Sequence, residues 1–234
     1  MKYIFFPRPM AFVGSWLAGV GYCLLLAHCQ SPAVPSGHHL QCYVRFDAAR
    51  GQVQADATAR QDNNGLPGLP VEMPGGLLYQ GSPMQILPVE GLTYRRAYAT
   101  NFEQEHTFGW TDAQGTRQKL NFSMATISRF GFGDGPLLRT RPATLRWEGG
   151  ALEKGEALVL MWENRARQQT VPMEIIRSSG DASIEFPAAK IAELPPGQWI
   201  LYLVRKRLVK AEVPGMTATA VLEYYSKNDT IAVK

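Results

Sequence analysis

The sequence predicts an all-β protein: two tandem antiparallel β-sandwiches that follow an export signal and a short tether. Three observations predict this fold class. From residue 40 onward, apolar and polar residues alternate with a period of two in most segments. Glycine (22 residues) and proline (16 residues) interrupt these segments at short intervals. No segment between residues 40 and 140 keeps a helical period, and a hydrophobic content of 45% excludes general disorder.

The N-terminus has the composition of an export signal. Lys2 and Arg8 form a short basic region, and eighteen residues without a charge follow from Met10 to Ala27. That length also fits a membrane-spanning helix. The three glycines inside the segment weaken a spanning helix, and the stretch after it is polar and broken by proline rather than basic. We therefore expect a signal peptide over residues 1–28 that is removed.

The segment LLLAHC, which ends at Cys29, resembles the lipobox of bacterial lipoproteins. Leu26 stands at position −3, Ala27 at −2 and Cys29 at the lipidated position, whereas His28 replaces the usual small residue at −1. The resemblance implies cleavage before Cys29, acylation of its thiol and new amino terminus, and a stable lipid anchor. In the best-known sorting scheme, Gln30 after the cysteine implies the outer membrane of the bacterial envelope, on its periplasmic or surface side.

Two alternatives to lipidation stay open at this stage: an uncleaved anchor, or ordinary signal-peptidase cleavage nearby. If Cys29 were not acylated, a disulfide between Cys29 and Cys42 would be possible in an oxidising compartment. Cys42 lies in the alternating run LQCYVRF, so we expect its thiol to pack as a small apolar group.

Composition divides the exported chain into a tether and two sandwiches. Residues 29–39 hold the lipidated cysteine and a flexible tether rich in Ser, Pro and Gly, and residues 40–135 form the first sandwich. A cluster of glycine and proline over residues 131–142 marks the boundary. Residues 136–234 form the second sandwich, for which six strands in about 85 residues fit an immunoglobulin-like fold.

Short motifs support this layout. The stretch LPPGQW, with Leu194 at its start and Trp199 at its end, resembles the corner that precedes a central strand in fibronectin type III modules. The hairpin FGWTDAQG begins at Phe108, and LRWEGG surrounds Trp147. Together with the lipobox, these motifs resemble lipid-anchored two-sandwich proteins of Bacteroidetes-type bacteria. The resemblance implies an envelope location and says little about activity.

No motif in the sequence predicts catalysis, a metal site or a cofactor. The glycines of GFGDGP do not fit a phosphate-binding loop, and Glu105 and His106 are adjacent in a strand and so point to opposite faces. The chain carries 24 basic and 20 acidic residues, and removal of Lys2 and Arg8 with the signal leaves 22 against 20. A net charge of about +2 gives no reason to expect nucleic-acid binding.

Aromatic residues are the candidates for ligand contact. Trp110, Tyr224 and Tyr225 would contribute to a sugar- or protein-binding surface, although core packing is the commoner role of strand aromatics. Tyr224 and Tyr225 are adjacent in a strand, so one of them should be exposed. The function that the sequence predicts is a non-catalytic binding or scaffolding module for an envelope protein or a glycan. The alternatives are an envelope hydrolase with a site on sandwich loops, or a structural subunit of an envelope complex.

Overall fold

The computed structural model describes residues 37–63, 66–87, 92–112, 114–133, 135–177, 180–213 and 215–234. The signal peptide, the lipobox with Cys29 and most of the tether lie outside the described residues. Within the described part of the chain, no helix is long and apolar enough to cross a membrane.

Strands dominate the described chain, as the alternating sequence predicts. The helical elements there are one α-helix, α1 (Ala188–Ala192), and one turn of 3-10 helix (Arg165–Arg167). The strands are β1 (His38–Asp47), β2 (Gln52–Asn63), β3 (Leu66–Pro70), β4 (Leu78–Tyr79), β5 (Ser82–Pro83), β6 (Gln85–Leu87), β7 (Thr93–Ala99), β8 (Glu105–Thr111), β9 (Arg117–Ser123), β10 (Phe130–Gly131), β11 (Ala143–Trp147), β12 (Glu156–Asn164), β13 (Gln169–Arg177), β14 (Ser183–Phe186), β15 (Gly197–Val213), β16 (Met216–Tyr225) and β17 (Asp229–Val233).

The strands form three sheets. The largest has ten strands, eight of them in the order β13-β12-β15-β16-β1-β2-β7-β6, with β17 paired to β15 and β3 paired to β2. A four-stranded sheet has the order β5-β4-β8-β9, and a three-stranded sheet the order β10-β11-β14. The all-β sandwich class predicted from the sequence is confirmed.

A parallel pair joins the early and late strands of the large sheet. β1 pairs with β2 in antiparallel fashion and with β16 in parallel, so that His38 lies opposite Met216 and Asp47 opposite Tyr225. One sheet therefore contains strands from both sides of the boundary expected after residue 135. The division into two sandwiches at that boundary stays a prediction.

The core lies between the large sheet and the two smaller ones. Along β12 and β16 buried and half-buried residues alternate without interruption, which places one face of each strand in the core. The rings of Tyr79 in β4 and Tyr98 in β7 pack across the two sheets with their centroids 6.4 Å apart. Burial of the tryptophans of β11, β12 and β15 supplies much of the apolar area.

Two local predictions are confirmed in the structure. The LPPGQW corner leads into the central strand β15, where the Trp199 indole donates a hydrogen bond to the Pro195 carbonyl at 2.9 Å; α1 lies just before the corner. Cys42 is buried, and burial raises the pKa of its thiol, so the group stays protonated and apolar.

Candidate functional site

The three aromatic residues expected to contact a ligand occupy different environments. Trp110 in β8 is 4% exposed, and Tyr224 in β16 is 6% exposed and stacks on Phe46 with ring centroids 5.7 Å apart. Tyr225, next along the same strand, lies half-buried on the opposite face. The two tyrosines point to opposite faces, as strand alternation predicts, but Tyr225 is half-buried rather than exposed, because Arg45 lies over its ring. Trp110 lines a groove beside the first residue of β1, and its ligand contact stays a prediction, as does that of Tyr224.

Strand register surrounds Tyr225 with other polar side chains. In the large sheet β16 lies between β1 and β15, so Asp47 is opposite Tyr225 and Arg45 is opposite Glu223. Tyr202 in β15 lies two residues from Val204, which is opposite Tyr225. The rings of Tyr202 and Tyr225 stack, with centroids 6.2 Å apart and an interplanar angle of 28°. We name this region the Arg45 surface; it comprises Tyr43, Arg45, Asp47, Arg50, Glu163, Arg165, Tyr202, Glu223 and Tyr225.

Hydrogen bonds fix the phenol groups of this surface. The Tyr43 hydroxyl donates to Glu223 Oε2 at 2.7 Å, and the Tyr225 hydroxyl donates to the same oxygen at 3.0 Å. The Lys206 ammonium lies 3.3 Å from the other carboxylate oxygen of Glu223. One carboxylate thus orders groups from three strands, because a charged acceptor forms stronger hydrogen bonds than a neutral one.

The Arg45 guanidinium covers the ring of Tyr225. Its Cζ atom lies 3.9 Å from the ring centroid, which is the geometry of a cation–π contact. Asp47 lies 3.7 Å from Arg45 and 3.8 Å from Arg50, and it accepts hydrogen bonds from the backbone N–H groups of Ala49 and Arg50 in the turn after β1. The arginine is therefore held over the Tyr225 ring, and 39% of its side chain is exposed to solvent.

Burial keeps the phenols of this surface protonated. Desolvation, followed by the nearby Glu163 carboxylate, raises the pKa of Tyr202 to about 12. Desolvation and then Glu223 also raise the pKa of Tyr43 and of Tyr225. At neutral pH these groups act as hydrogen-bond donors, and a phenolate nucleophile or base is unavailable here.

The surface contains two shallow neighbouring depressions, of about 240 Å³ and about 210 Å³. Arg45, Asp47 and Arg50 line both of them; Tyr202 and Tyr225 line the first, and Tyr98 lines the second. Each is smaller than the pockets of roughly 300–1,000 Å³ that enclose small ligands. The arrangement suits a projecting group of a larger partner, received by the guanidinium donors, because the Tyr43 and Tyr225 hydroxyls already donate to Glu223.

The histidines offer no metal site within the described residues. His106 is buried in β8 while Glu105 is exposed, so the two diverge as strand geometry predicts. No group of three His, Cys, Asp or Glu side chains in the described part of the chain could hold a metal ion.

Sequence reasoning missed Arg45, Tyr202 and Glu223. A signal was present, because alternation in CYVRFD places Tyr43, Arg45 and Asp47 on one face, and alternation in LEYY places Glu223 with Tyr225. The two stretches are 180 residues apart, and their juxtaposition depends on the parallel pairing of β1 and β16.

Comparisons with known proteins give weak likenesses. No family model matches the chain, and no curated protein matches it. Among solved structures, a tetra-tandem repeat from the extending region of a large adhesion protein aligns with 83% of this chain, at 9% identity and a TM-score of 0.29. This chain spans about half of that structure, 49% of its length.

Two further structures align over most of the chain. The fibronectin(III)-like modules of Clostridium thermocellum CbhA give 7% identity and a TM-score of 0.22, covering 78% of this chain and 88% of theirs. The Bacteroides ovatus SGBP-B of a mixed-linkage glucan utilization locus, in complex with a mixed-linkage heptasaccharide, gives 10% identity and a TM-score of 0.19, covering 81% of this chain and 60% of its own.

Proposed function

We propose that the protein is a lipid-anchored lipoprotein of the bacterial envelope that acts as a non-catalytic binding or scaffolding module, with the Arg45 surface as its contact site. The preferred partner is another envelope protein, and a glycan is the alternative. The observation that supports binding is the set of preordered tyrosine and arginine side chains on one outward sheet face.

The position of the Arg45 surface along β1 suits an anchored protein. The chain that carries Cys29 joins the fold at His38, the first residue of β1, and the surface lies around Asp47, the last residue of the same strand. A ten-residue strand is about 30 Å long. The contact site is thus at the end of β1 that is farther from His38, the residue of this strand that is nearest in sequence to Cys29.

The chemistry of the surface favours a protein partner. Tyrosine and arginine are the residues most enriched where protein interfaces gain their binding energy. Glycan binding through Tyr225 would require an open ring face, whereas the Arg45 guanidinium already lies over that ring at 3.9 Å. The three tyrosines and Arg45 are held by neighbours in the free protein, so association would cost less side-chain entropy.

A hydrolase has less support at this surface. Two of its three acidic groups are engaged in the fold: Glu223 accepts from two tyrosines, and Asp47 holds the turn after β1 and pairs with Arg45. A structural subunit would be favoured by a wide apolar patch. Of the exposed large apolar side chains of the described residues, Leu69, Ile86 and Leu208 lie on three different strands and Leu138 lies between β10 and β11.

Replacement of Arg45 tests the contact site. A photo-crosslinking residue at Asn228, which is exposed beside the first depression, should trap a discrete envelope protein in cells. Arg45→Ala should reduce that crosslink at least about tenfold, because it removes the guanidinium donors and the cover of Tyr225. Arg146→Ala, an exposed strand arginine in a different sheet, is the matched control and should leave the crosslink unchanged. Equal loss in both variants, or no crosslinked protein at all, would contradict the proposed site.

Lipid labelling tests the anchor separately. We expect palmitate incorporation into the full-length protein and its recovery in the membrane fraction, both abolished by Cys29→Ser. His28→Ala restores a small residue at position −1 of the lipobox and should increase the processed fraction. Membrane recovery without label in the parent protein would indicate an uncleaved anchor, and a soluble unlabelled protein would indicate secretion.

A further inference from the structure

A separate depression lies on the outer face of the four-stranded sheet, centred on a glycine inside a strand. Gly109 is paired on both sides, with Leu78 of β4 and with Lys119 of β9. We name this region the Gly109 depression; it has a volume of about 390 Å³, and its lining includes Leu78, Thr107, Gly109, Thr111, Arg117 and Lys119.

The fold does not require glycine at this position. The ladder with β9 runs through Gly109 without a bulge, and the pair with Leu78 is the last of the short ladder with β4. The Gly109 backbone is outside the left-handed region that favours glycine. A Cβ atom built at Gly109 would meet the Gln118 carbonyl at 3.5 Å and the Leu78 side chain at 3.7 Å, which are ordinary contacts. Glycine nevertheless destabilises a strand by roughly 0.5–1 kcal/mol relative to alanine. A glycine inside a regular strand often marks the close approach of a ligand.

The walls of the depression combine apolar surface with hydroxyl and cationic groups. Alternation along β8 buries His106, Phe108 and Trp110 and leaves Thr107 and Thr111 on the outer face with Gly109. Leu78 forms one wall, Lys119 stands opposite it, and Arg117 is opposite Thr111. The two threonines are about 14 Å apart along the strand, so the depression is long enough for more than one sugar ring.

The two cations of the rim have no acidic partner in the described part of the chain. Arg117 and Lys119 are exposed, and neither is in an ion pair with a described carboxylate. The acid of the adjacent turn, Asp112, accepts hydrogen bonds from its own turn, at 3.0 Å from Gln114 N and 2.8 Å from Thr116 N, and from the Gln118 side chain. The rim is therefore positively charged and complementary to anionic groups.

We propose that the Gly109 depression binds a glycan that carries carboxylate groups, such as a polymer of uronic acids. A sugar ring lies with its C–H face on the bare backbone of Gly109 and on Leu78, the threonine hydroxyls meet ring hydroxyls, and Lys119 and Arg117 receive the carboxylates. An acidic peptide fits less well. β9 is the outer strand of this sheet, so a peptide that added as a strand would pair along β9 and leave Gly109 uncovered.

Replacement of Gly109 separates binding from stability. The probe is an oligogalacturonate titrated calorimetrically into the full-length protein in detergent, with maltoheptaose as the neutral control and poly-L-glutamate as the peptide control. Gly109→Ala should weaken oligogalacturonate binding at least about tenfold while the midpoint of thermal unfolding stays equal or rises. Gly131→Ala is the matched control: this strand glycine of β10 also has a non-positive φ and open space, and its variant should bind as the parent does.

A second pair of variants tests the charges. Lys119→Gln should weaken binding and reduce its dependence on salt, whereas Lys210→Gln, an exposed lysine of β15, should change neither. Parent-like binding by Gly109→Ala, equal binding of poly-L-glutamate, preference for maltoheptaose, or no binding of oligogalacturonate would each overturn the proposal. The depression and the Arg45 surface are on different sheets, so Arg45→Ala should leave this binding intact and either proposal can fail alone.

Discussion

At the scale of single residues, His106 is a histidine held neutral in the core. It is 2% exposed, and its Nδ1 lies 2.6 Å from the Tyr79 hydroxyl. Its Nε2 is buried with no hydrogen-bond partner among the described residues. Burial lowers the pKa of His106 to about 4, against a nearby opposing effect of Glu103. Protonation would place a charge and an unpaired N–H among aromatic rings, so the folded state disfavours it.

The lowered pKa predicts a loss of stability in mild acid. The unfolded chain binds a proton at His106 near pH 6.5 and the folded chain near pH 4, so this group reduces the free energy of unfolding as pH falls between those values. The reduction between pH 7 and pH 5 should be about 2 kcal/mol. Urea unfolding of Tyr79→Phe and of Tyr79→Phe/His106→Phe measures it, since the shared change removes the Tyr79 hydroxyl from both. Between pH 7 and pH 5, the double variant should lose about 2 kcal/mol less free energy of unfolding than Tyr79→Phe does. Equal losses in the two variants would mean that His106 titrates normally in the folded protein.

At the scale of elements, neighbouring residues of β15 point to opposite sides of the large sheet: Arg205 is buried and Lys206 is exposed. Arg205 is 3% exposed and forms an ion pair with Glu156 of β12 at 2.5 Å; it also donates to the carbonyls of Gly149, at 2.7 Å, and Ala151, at 2.9 Å. Its neighbour Lys206 points outward to Glu223 of the Arg45 surface. The buried pair holds the segment before β12 against β15, and satisfied hydrogen bonds offset the cost of burying both charges.

The same strand shows what alternation predicts and what it misses. The stretch RKRLVK predicts Arg205 and Arg207 on one face and Lys206 on the other, and the structure agrees. A solvated strand end, the ordinary expectation for such a stretch, is wrong for Arg205, whose partner Glu156 is 49 residues away in sequence. The alternation of residues along a strand shows which side chains share a face. It does not show which part of the protein packs against that face, because that depends on tertiary contacts.

At the scale of the whole molecule, local sequence patterns predicted the fold class, whereas both candidate sites depend on pairing between strands that are far apart in sequence. Alternation, turn glycines and the LPPGQW corner were sufficient for an all-β sandwich and for the start of β15. The Arg45 surface requires β1 to pair in parallel with β16, and a parallel ladder leaves no local signature of its partner. The Gly109 depression was equally hidden, because only the pairing on both sides of Gly109 shows that its backbone is regular.

The parallel pair also predicts how the molecule unfolds. Val44 of β1 is fully buried, and Val44→Ala should lower the free energy of unfolding by about 2 kcal/mol through the lost apolar contacts. Because β1 contacts β2 on one side and β16 on the other, Val44→Ala should accelerate amide hydrogen exchange together in peptides from β8 and from β12.

Val159→Ala, on the half-buried outer face of β12, is the control and should change exchange little. If only peptides within residues 40–135 respond to Val44→Ala, the molecule unfolds as the two sandwiches that the sequence predicts; a joint response means that the ten-stranded sheet is one cooperative unit.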